Sequence, residues 1–210
     1  MNRFKKLINI RNILLLGLLL RIVFMIWGAP IYYGTSEYAA KGGDTHAWVV
    51  SMQNLVHSGT YTADPNYEDG KFFRPPGYSF FLLPFYLLSV FDLKLMYLLA
   101  QIFQVLLDTI SILLIFKIIK NVNGKDEVAL LGSFLYCIYP FSIVWSPYLY
   151  AESPSVFFLL LSFYFVTCES NRKNYLISGI ALGFAVLLRV QIIFAAPAIA
   201  IYLLSKNKSL

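Results

Sequence analysis

Four charged residues could do chemistry together: Asp44 and Arg74, in the only long polar interval of the chain, and Glu152 and Arg189, each beside an apolar run. Asp44 follows a glycine pair in GGDTH, and Arg74 precedes a proline pair in FFRPPGY. A guanidinium binds phosphate oxygens through paired hydrogen bonds, and an ionised carboxylate accepts the proton of a hydroxyl. If the chain brings these four side chains together, they would form a site able to hold a phosphate and deprotonate a hydroxyl.

Each of the four residues also has a purely structural explanation. Asp44 could cap the helix that begins just after it, and Glu152 could be a first-turn acid favoured by the helix dipole. Arg74 and Arg189 could be interface anchors whose guanidinium groups extend to water. The residue types alone leave both explanations open.

Other residues that often bind metals show no such pattern here. His46 and His57 have no metal-ligand spacing with other candidate ligands, and we interpret both as polar residues at a membrane interface. Cys137 and Cys168 fall in or beside apolar segments, which favours small buried hydrophobic side chains over a disulfide framework or a metal site. The sequence predicts no metal ligands.

The composition places these residues in a membrane protein. Hydrophobic residues make up 59% of the 210-residue chain and charged residues 13%, whereas soluble domains have about 45–50% and about 25%. The net charge of +6 is carried by short basic clusters between apolar runs. That pattern indicates loop orientation in a membrane and argues against nucleic-acid binding.

Apolar runs and basic turns together predict an all-α polytopic membrane protein with about six transmembrane helices and both termini in the cytoplasm. The predicted spans are 7–27, 95–117, 127–147, 152–168, 174–188 and 190–204. Segment 75–90 is too short to span and contains Pro84, so we expect a helix at the interface. A second interfacial helix is expected over 47–56. Both belong to a long external loop, 28–94, which would carry the site on the extracytoplasmic face with Glu152 and Arg189.

Two further charges, Arg21 and Asp108, fall within predicted spans. Helix rise places Arg21 about 9 Å and Asp108 about 20 Å below the outer surface, so no direct bridge between them is expected. Asp108 is expected to use Thr109, Gln104 or water instead.

Several motifs occur in an order that resembles a known family. They are GGDTHAWVVSMQNLVHSGTY, FFRPPGYSFFLLPFY, IYPFSIVWSPYLYAESPSVFFLLLSF and GIALGFAVLLRVQ. Their order and their predicted side of the membrane resemble the N-terminal membrane module of the GT-C glycosyltransferases. Those grouped with protein O-mannosyltransferases and the aminoarabinose transferases of lipid A are the most similar. The resemblance covers 7–204, within a single transmembrane domain at 1–210.

The resemblance implies transfer of a sugar from a polyprenyl-phosphate carrier to an acceptor protein, lipid or glycan at the outer face. It implies that Asp44 is the catalytic base for the acceptor and that Glu152 assists in the site. It also implies that Arg74 holds the lipid phosphate and that Arg189 is the matching basic residue at the end of the Gly-rich segment. We expect no cofactor, with a divalent metal left open because the family varies.

The sequence departs from the family pattern in two places, and its length raises an alternative. Thr45 follows Asp44 where the protein mannosyltransferases have a second acid, and Val190 follows Arg189 where relatives often have proline. Family members usually continue with more spans. The alternative hypothesis is therefore a truncated or split non-catalytic module that binds carrier lipid or a partner chain supplying the C-terminal part. A transporter ranks last, because the chain shows no internal repeat.

Overall fold

The computed structural model describes residues 9–33, 43–66 and 70–208. Within these ranges the chain is helical, and the described part contains no β-strand beyond one isolated bridge between Thr62 and Lys71. The predicted all-α class is thus confirmed for the described residues. The basic N-terminal segment and parts of the predicted loop, 34–42 and 67–69, lie outside them.

The first apolar run forms one long helix with a wider turn near its end. Helix α1 (Ile10–Val23) starts at Asn9, whose side chain accepts the Asn12 backbone N–H at 2.9 Å. It continues through a π-helical turn (Phe24–Gly28) into α2 (Ala29–Tyr33). The wide turn precedes Pro30, whose ring cannot donate a helical hydrogen bond. Residues 10–32 are long and apolar enough to cross a membrane.

The central element comes later in the chain. After α3 (Gly43–Ser58) and α4 (Gly77–Leu88) comes the 31-residue α5 (Leu93–Asn123). It is capped by Asp92 at one end and by Gly124, with a φ of +75°, at the other. Both α1 and α4 pack against α5, as do two later helices, Asp126–Cys137 and Glu152–Thr167. Like residues 10–32, α5 is long and apolar enough to span.

The remaining apolar segments are shorter or interrupted. They form α6 (Asp126–Cys137), α7 (Pro140–Trp145), α8 (Glu152–Thr167), α9 (Arg172–Leu188), a 3₁₀ turn (Val190–Phe194) and α10 (Ala195–Lys208). Pro140 explains the break inside the predicted span 127–147, because the residue before a proline avoids helical geometry. Two helices in the described residues satisfy the length and composition of a membrane span, and the six-span count stays a prediction.

The two predicted loop helices are present. Segment 47–56 is part of α3, which ends where Gly59 takes a φ of +72°. Segment 75–90 contains α4, whose 12 residues are too few to span and include Pro84. One side of α4 is buried against α3 and α5 through Tyr78 and Leu82. The helix is therefore packed into the bundle as well as being short.

The expectation that Arg21 and Asp108 do not meet is wrong. Arg21 is fully buried and donates from Nε to Asp108 Oδ2 at 2.5 Å. Its Nη2 donates to Ser142 Oγ at 2.5 Å, and the Tyr136 hydroxyl donates to Asp108 Oδ1 at 2.6 Å. The partners expected for Asp108 are engaged elsewhere, since Thr109 donates to the Val105 carbonyl and Gln104 to another segment.

The error lies in the assumed helix ends. The first helix continues to Tyr33 and α5 begins at Leu93. Measured from those ends, Arg21 lies about 18 Å and Asp108 about 22 Å along its helix, which removes most of the expected difference in depth. Charges at such positions are costly unless they are paired. The ion pair gives each of the two side chains an oppositely charged partner.

Candidate active site

The four candidate residues line one cavity of about 120 Å³, where α3, the start of α8 and the end of α9 meet. Asp44 comes from the first turn of α3 and Glu152 from the first turn of α8. Arg74 comes from the turn before α4, and Arg189 from the break after α9. Residues 145 positions apart in sequence, from 44 to 189, are therefore brought into one site.

Asp44 and Arg74 form the first ion pair of this site. Arg74 Nη2 donates to Asp44 Oδ1, and both side chains are about one-third exposed, at 37% and 35%. Arg74 Nε is buried and has no hydrogen-bond partner among the described residues. A guanidinium carries five N–H donors, so Arg74 keeps donors for a further anion while it holds Asp44.

Glu152 and Arg189 form the second pair. Arg189 Nη1 donates to Glu152 Oε1, and these side chains are also partly exposed. The predicted split of the last apolar run at Arg189 is confirmed, because α9 ends at Leu188 and Arg189 has an extended backbone. Its N–H still donates to the Ala185 carbonyl at 2.9 Å. The break in the helix directs the Arg189 guanidinium away from α9 and towards Glu152 on α8.

Close packing of backbone brings the two pairs together. A Cβ atom at Gly77 would lie 2.3 Å from the carbonyl carbon and oxygen of Leu187. The start of α4 and the end of α9 can therefore touch only because residue 77 has no side chain. Trp48 Nε1 donates to the Pro75 carbonyl at 3.2 Å, and the Tyr61 hydroxyl donates to the Arg74 carbonyl at 3.3 Å. These contacts fix the turn that carries Arg74.

A tyrosine near the carboxylates stays protonated at neutral pH. Burial raises the pKa of Tyr148 to about 12, helped by its hydrogen bond with Tyr150 and by the negative charges of Asp44 and Glu152. The Tyr148 ring lies 4.4 Å from that of Tyr150, which in turn lies 5.7 Å from Trp48 on the cavity wall. Tyr148 therefore stays neutral beside the two carboxylates and cannot serve as a base there.

A second cavity, of about 170 Å³, adjoins the first at Glu152, which lines both. Its walls are mainly apolar and include Phe141, Trp145 and Val156. Phe141 is 63% exposed on the outside of the bundle. Ser153 also lines this cavity, and within the part of the chain that the structure describes its buried Oγ has no hydrogen-bond partner. An apolar chain with a polar end near Glu152 would fit this space.

Several residues that support the site were not identified from the sequence. Thr45, Gln101 and Gln104 donate to the backbone of the segment just before Glu152. The two glutamines could have been recognised, because they are amides three residues apart within an otherwise apolar span. As for metals, the described ranges hold no group of three or more His, Cys, Asp or Glu side chains placed to bind an ion.

Comparison with known proteins gives one match. The family model for dolichyl-phosphate-mannose-protein mannosyltransferase matches residues 74–210, which is 137 of 210 residues. Arg74, Glu152 and Arg189 lie in the matched region, and Asp44 lies before it. No curated protein and no solved structure matches the chain. Since the match covers more than half of its residues, the chain belongs to the dolichyl-phosphate-mannose-protein mannosyltransferase family of GT-C membrane glycosyltransferases.

Proposed function

We propose that this protein transfers a sugar from a polyprenyl-phosphate donor to an acceptor hydroxyl at the outer face of the membrane, with inversion. The observation that carries the proposal is the presence of two arginine–carboxylate pairs in one cavity, in a member of this family. Arginine is suited to phosphate and carboxylate to proton transfer, and the site offers two of each.

Charge balance supports a phosphate ligand. The formal charges of the two arginines and two carboxylates sum to zero in the free site. A bound phosphate therefore adds negative charge, which the two arginines must neutralise. Arg74 has its Nε donor for this, which no other described residue binds. The Arg189 side chain is 39% exposed and lines the same cavity, so its guanidinium can also reach a phosphate there. As the phosphate draws on Arg74, the Asp44 carboxylate is freed to accept a hydrogen bond from the acceptor hydroxyl.

The proposed step is a single displacement. The acceptor oxygen attacks the anomeric carbon and forms the new C–O bond, while the bond from that carbon to the phosphate oxygen breaks. The bonding electron pair leaves with polyprenyl phosphate, whose increased charge is held by Arg74 and Arg189. Asp44 takes the proton of the acceptor hydroxyl. Glu152 keeps Arg189 in place.

The second cavity supports entry of the donor from the bilayer. It adjoins the charged cavity at Glu152, its walls are largely apolar, and Phe141 on its rim is exposed. In this proposal the phosphate lies between the arginines, and the first part of the prenyl chain occupies the apolar space. The outward orientation of the site and the cytoplasmic position of both termini remain predictions from the charge pattern.

The test is release of prenyl phosphate from a radiolabelled prenyl-phosphate-sugar donor by the purified protein in liposomes. Asp44→Asn should lower the rate about 10²–10⁴-fold, the usual contribution of a general base. Asp92→Asn is the matched control, because Asp92 caps α5 away from the cavity and asparagine caps equally well. Full activity in a normally folded Asp44→Asn protein would refute the base assignment.

The phosphate role needs a binding measurement. Arg74→Ala should weaken donor binding at least tenfold, whereas Arg172→Ala, an exposed residue at the far end of α9, should not. Unchanged donor affinity in Arg74→Ala would contradict the assignment. If the wild-type chain binds donor but releases no prenyl phosphate, the result favours the alternative hypothesis of a non-catalytic module that needs a partner chain.

A further inference from the structure

The segment 146–151, which joins α7 to α8 and ends next to Glu152, is irregular and yet buried. Ser146 and Leu149 are 0% exposed and Ala151 is 1% exposed. Buried backbone groups outside a helix or sheet must find other partners, above all in a membrane protein. The position of Glu152 depends on how this segment is held, because α8 begins with that residue.

Side chains of α5 bind three consecutive carbonyl groups of the segment. Gln104 Nε2 donates to the Ser146 carbonyl at 3.2 Å and to the Tyr148 carbonyl at 2.7 Å. Gln101 Nε2 donates to the Pro147 carbonyl at 3.0 Å. The orientation of Gln104 is set by the Tyr78 hydroxyl of α4, which donates to Oε1 at 2.6 Å. The segment is thus fixed to the central helix.

The next carbonyl is bound from a different direction. Thr45 is 1% exposed, and its Oγ1 donates to the Leu149 carbonyl at 2.8 Å. Thr45 adjoins Asp44 in sequence, and Leu149 lies three residues before Glu152. This one hydrogen bond therefore joins the backbone that carries the first carboxylate to the backbone that carries the second.

We infer that Thr45 and Gln104 are positioning residues that set the separation of Asp44 and Glu152. Neither lines the cavity, so each acts through the backbone of 146–151. A carboxylate at residue 45 could not do this at neutral pH, because an ionised acid accepts hydrogen bonds and donates none. The inference rests on the proposed function for its catalytic readout, and its structural part stands independently.

The test replaces the Thr45 hydroxyl by a methyl group of similar size. Thr45→Val should lower kcat about 10–100-fold, since errors near 1 Å in a reacting geometry cost up to about 10²-fold. The KM for the prenyl-phosphate-sugar donor should stay within about twofold, because the arginines are untouched. Thr45→Ser keeps the hydroxyl and should restore kcat to within about threefold of wild type.

Thr109→Val is the matched control. Thr109 is also buried, but its hydroxyl bonds the Val105 carbonyl within its own helix. It should show wild-type kcat. Hydrogen–deuterium exchange gives a second readout that needs no turnover: amides of 146–152 should exchange at least tenfold faster in Thr45→Val than in wild type or Thr109→Val.

The outcomes separate this inference from the proposed function. If Asp44→Asn abolishes turnover while Thr45→Val matches wild type in kcat and exchange, the positioning role is refuted and the function stands. If Thr45→Ser is as impaired as Thr45→Val, or if only KM changes, the positioning role is likewise refuted. If Asp44→Asn is fully active, the proposed function fails, and faster exchange in Thr45→Val alone would still support the structural coupling.

Discussion

Replacing Gly77 by alanine should separate the two halves of the candidate active site. The added Cβ would lie 2.3 Å from backbone atoms of Leu187, and ordinary van der Waals contact begins at 3.4 Å. Neither backbone can rotate away as a side chain could, so the start of α4 must move about 1 Å from the end of α9. That shift increases the distance between Arg74, three residues before Gly77, and Arg189, two residues after Leu187.

A displacement of that size should reduce kcat/KM about 10²-fold, equivalent to about 2.7 kcal/mol of transition-state stabilisation. The assay is steady-state release of prenyl phosphate in liposomes. Gly183→Ala is the control: it makes the same change within α9, where, apart from the adjoining residues and the backbone of the helix itself, no atom of the described residues lies within 4 Å of the new Cβ. Alanine there should leave activity unchanged and favour the helix by about 1 kcal/mol.

The comparison of these two variants decides the result. A Gly77→Ala protein with the activity of Gly183→Ala would refute the reasoning that close backbone packing sets the arginine separation. Loss of folding in Gly77→Ala alone would be seen as a lower unfolding temperature. The rate should therefore be measured well below that temperature, where the folded fraction is known.

Two further predictions concern buried and titrating groups. Asp108→Asn leaves the buried Arg21 charge without its counterion, and should lower the free energy of unfolding in detergent by about 3–5 kcal/mol. The double variant Arg21→Met/Asp108→Leu should lose less than Asp108→Asn, and the opposite order would contradict a buried ion pair. Because the pKa of Tyr148 is raised to about 12 from an ordinary value of 10, the unfolded chain releases this proton first. Stability should fall between pH 10 and about 12, and Tyr148→Phe should reduce that fall; an unchanged pH dependence in the variant would contradict the raised pKa.

The sequence identified the four candidate site residues for a simple physical reason. Only 13% of the residues are charged, and a charge at or near membrane depth is costly unless it has a partner or water. Such residues can be recognised one at a time. Which carboxylate pairs with which arginine could not be deduced. The pairing depends on how α3, α4, α8 and α9 pack.

The Arg21–Asp108 pair shows where sequence reasoning failed. The charges were recognised, but their relative depth was calculated from the ends of hydropathy segments. A few residues of error at a helix end amount to several ångströms of depth. The π-helical turn and the continuation to Tyr33 supplied that error. Hydropathy does not show where a helix stops when polar and aromatic residues continue it.

What the sequence by itself determined is the class of the protein: an apolar, helical chain with a few charges in motifs of a glycosyltransferase family. Composition and periodicity depend only on the order of the residues, so the class can be read without knowing which distant residues touch. The tertiary structure decided which charges meet, that Gly77 allows the two halves of the site to touch, and that Thr45 and Gln104 hold the backbone beside Glu152. Hydrogen bonds from side chains to distant carbonyl groups leave no pattern in sequence, because every residue has a carbonyl and only the fold selects which one is reached.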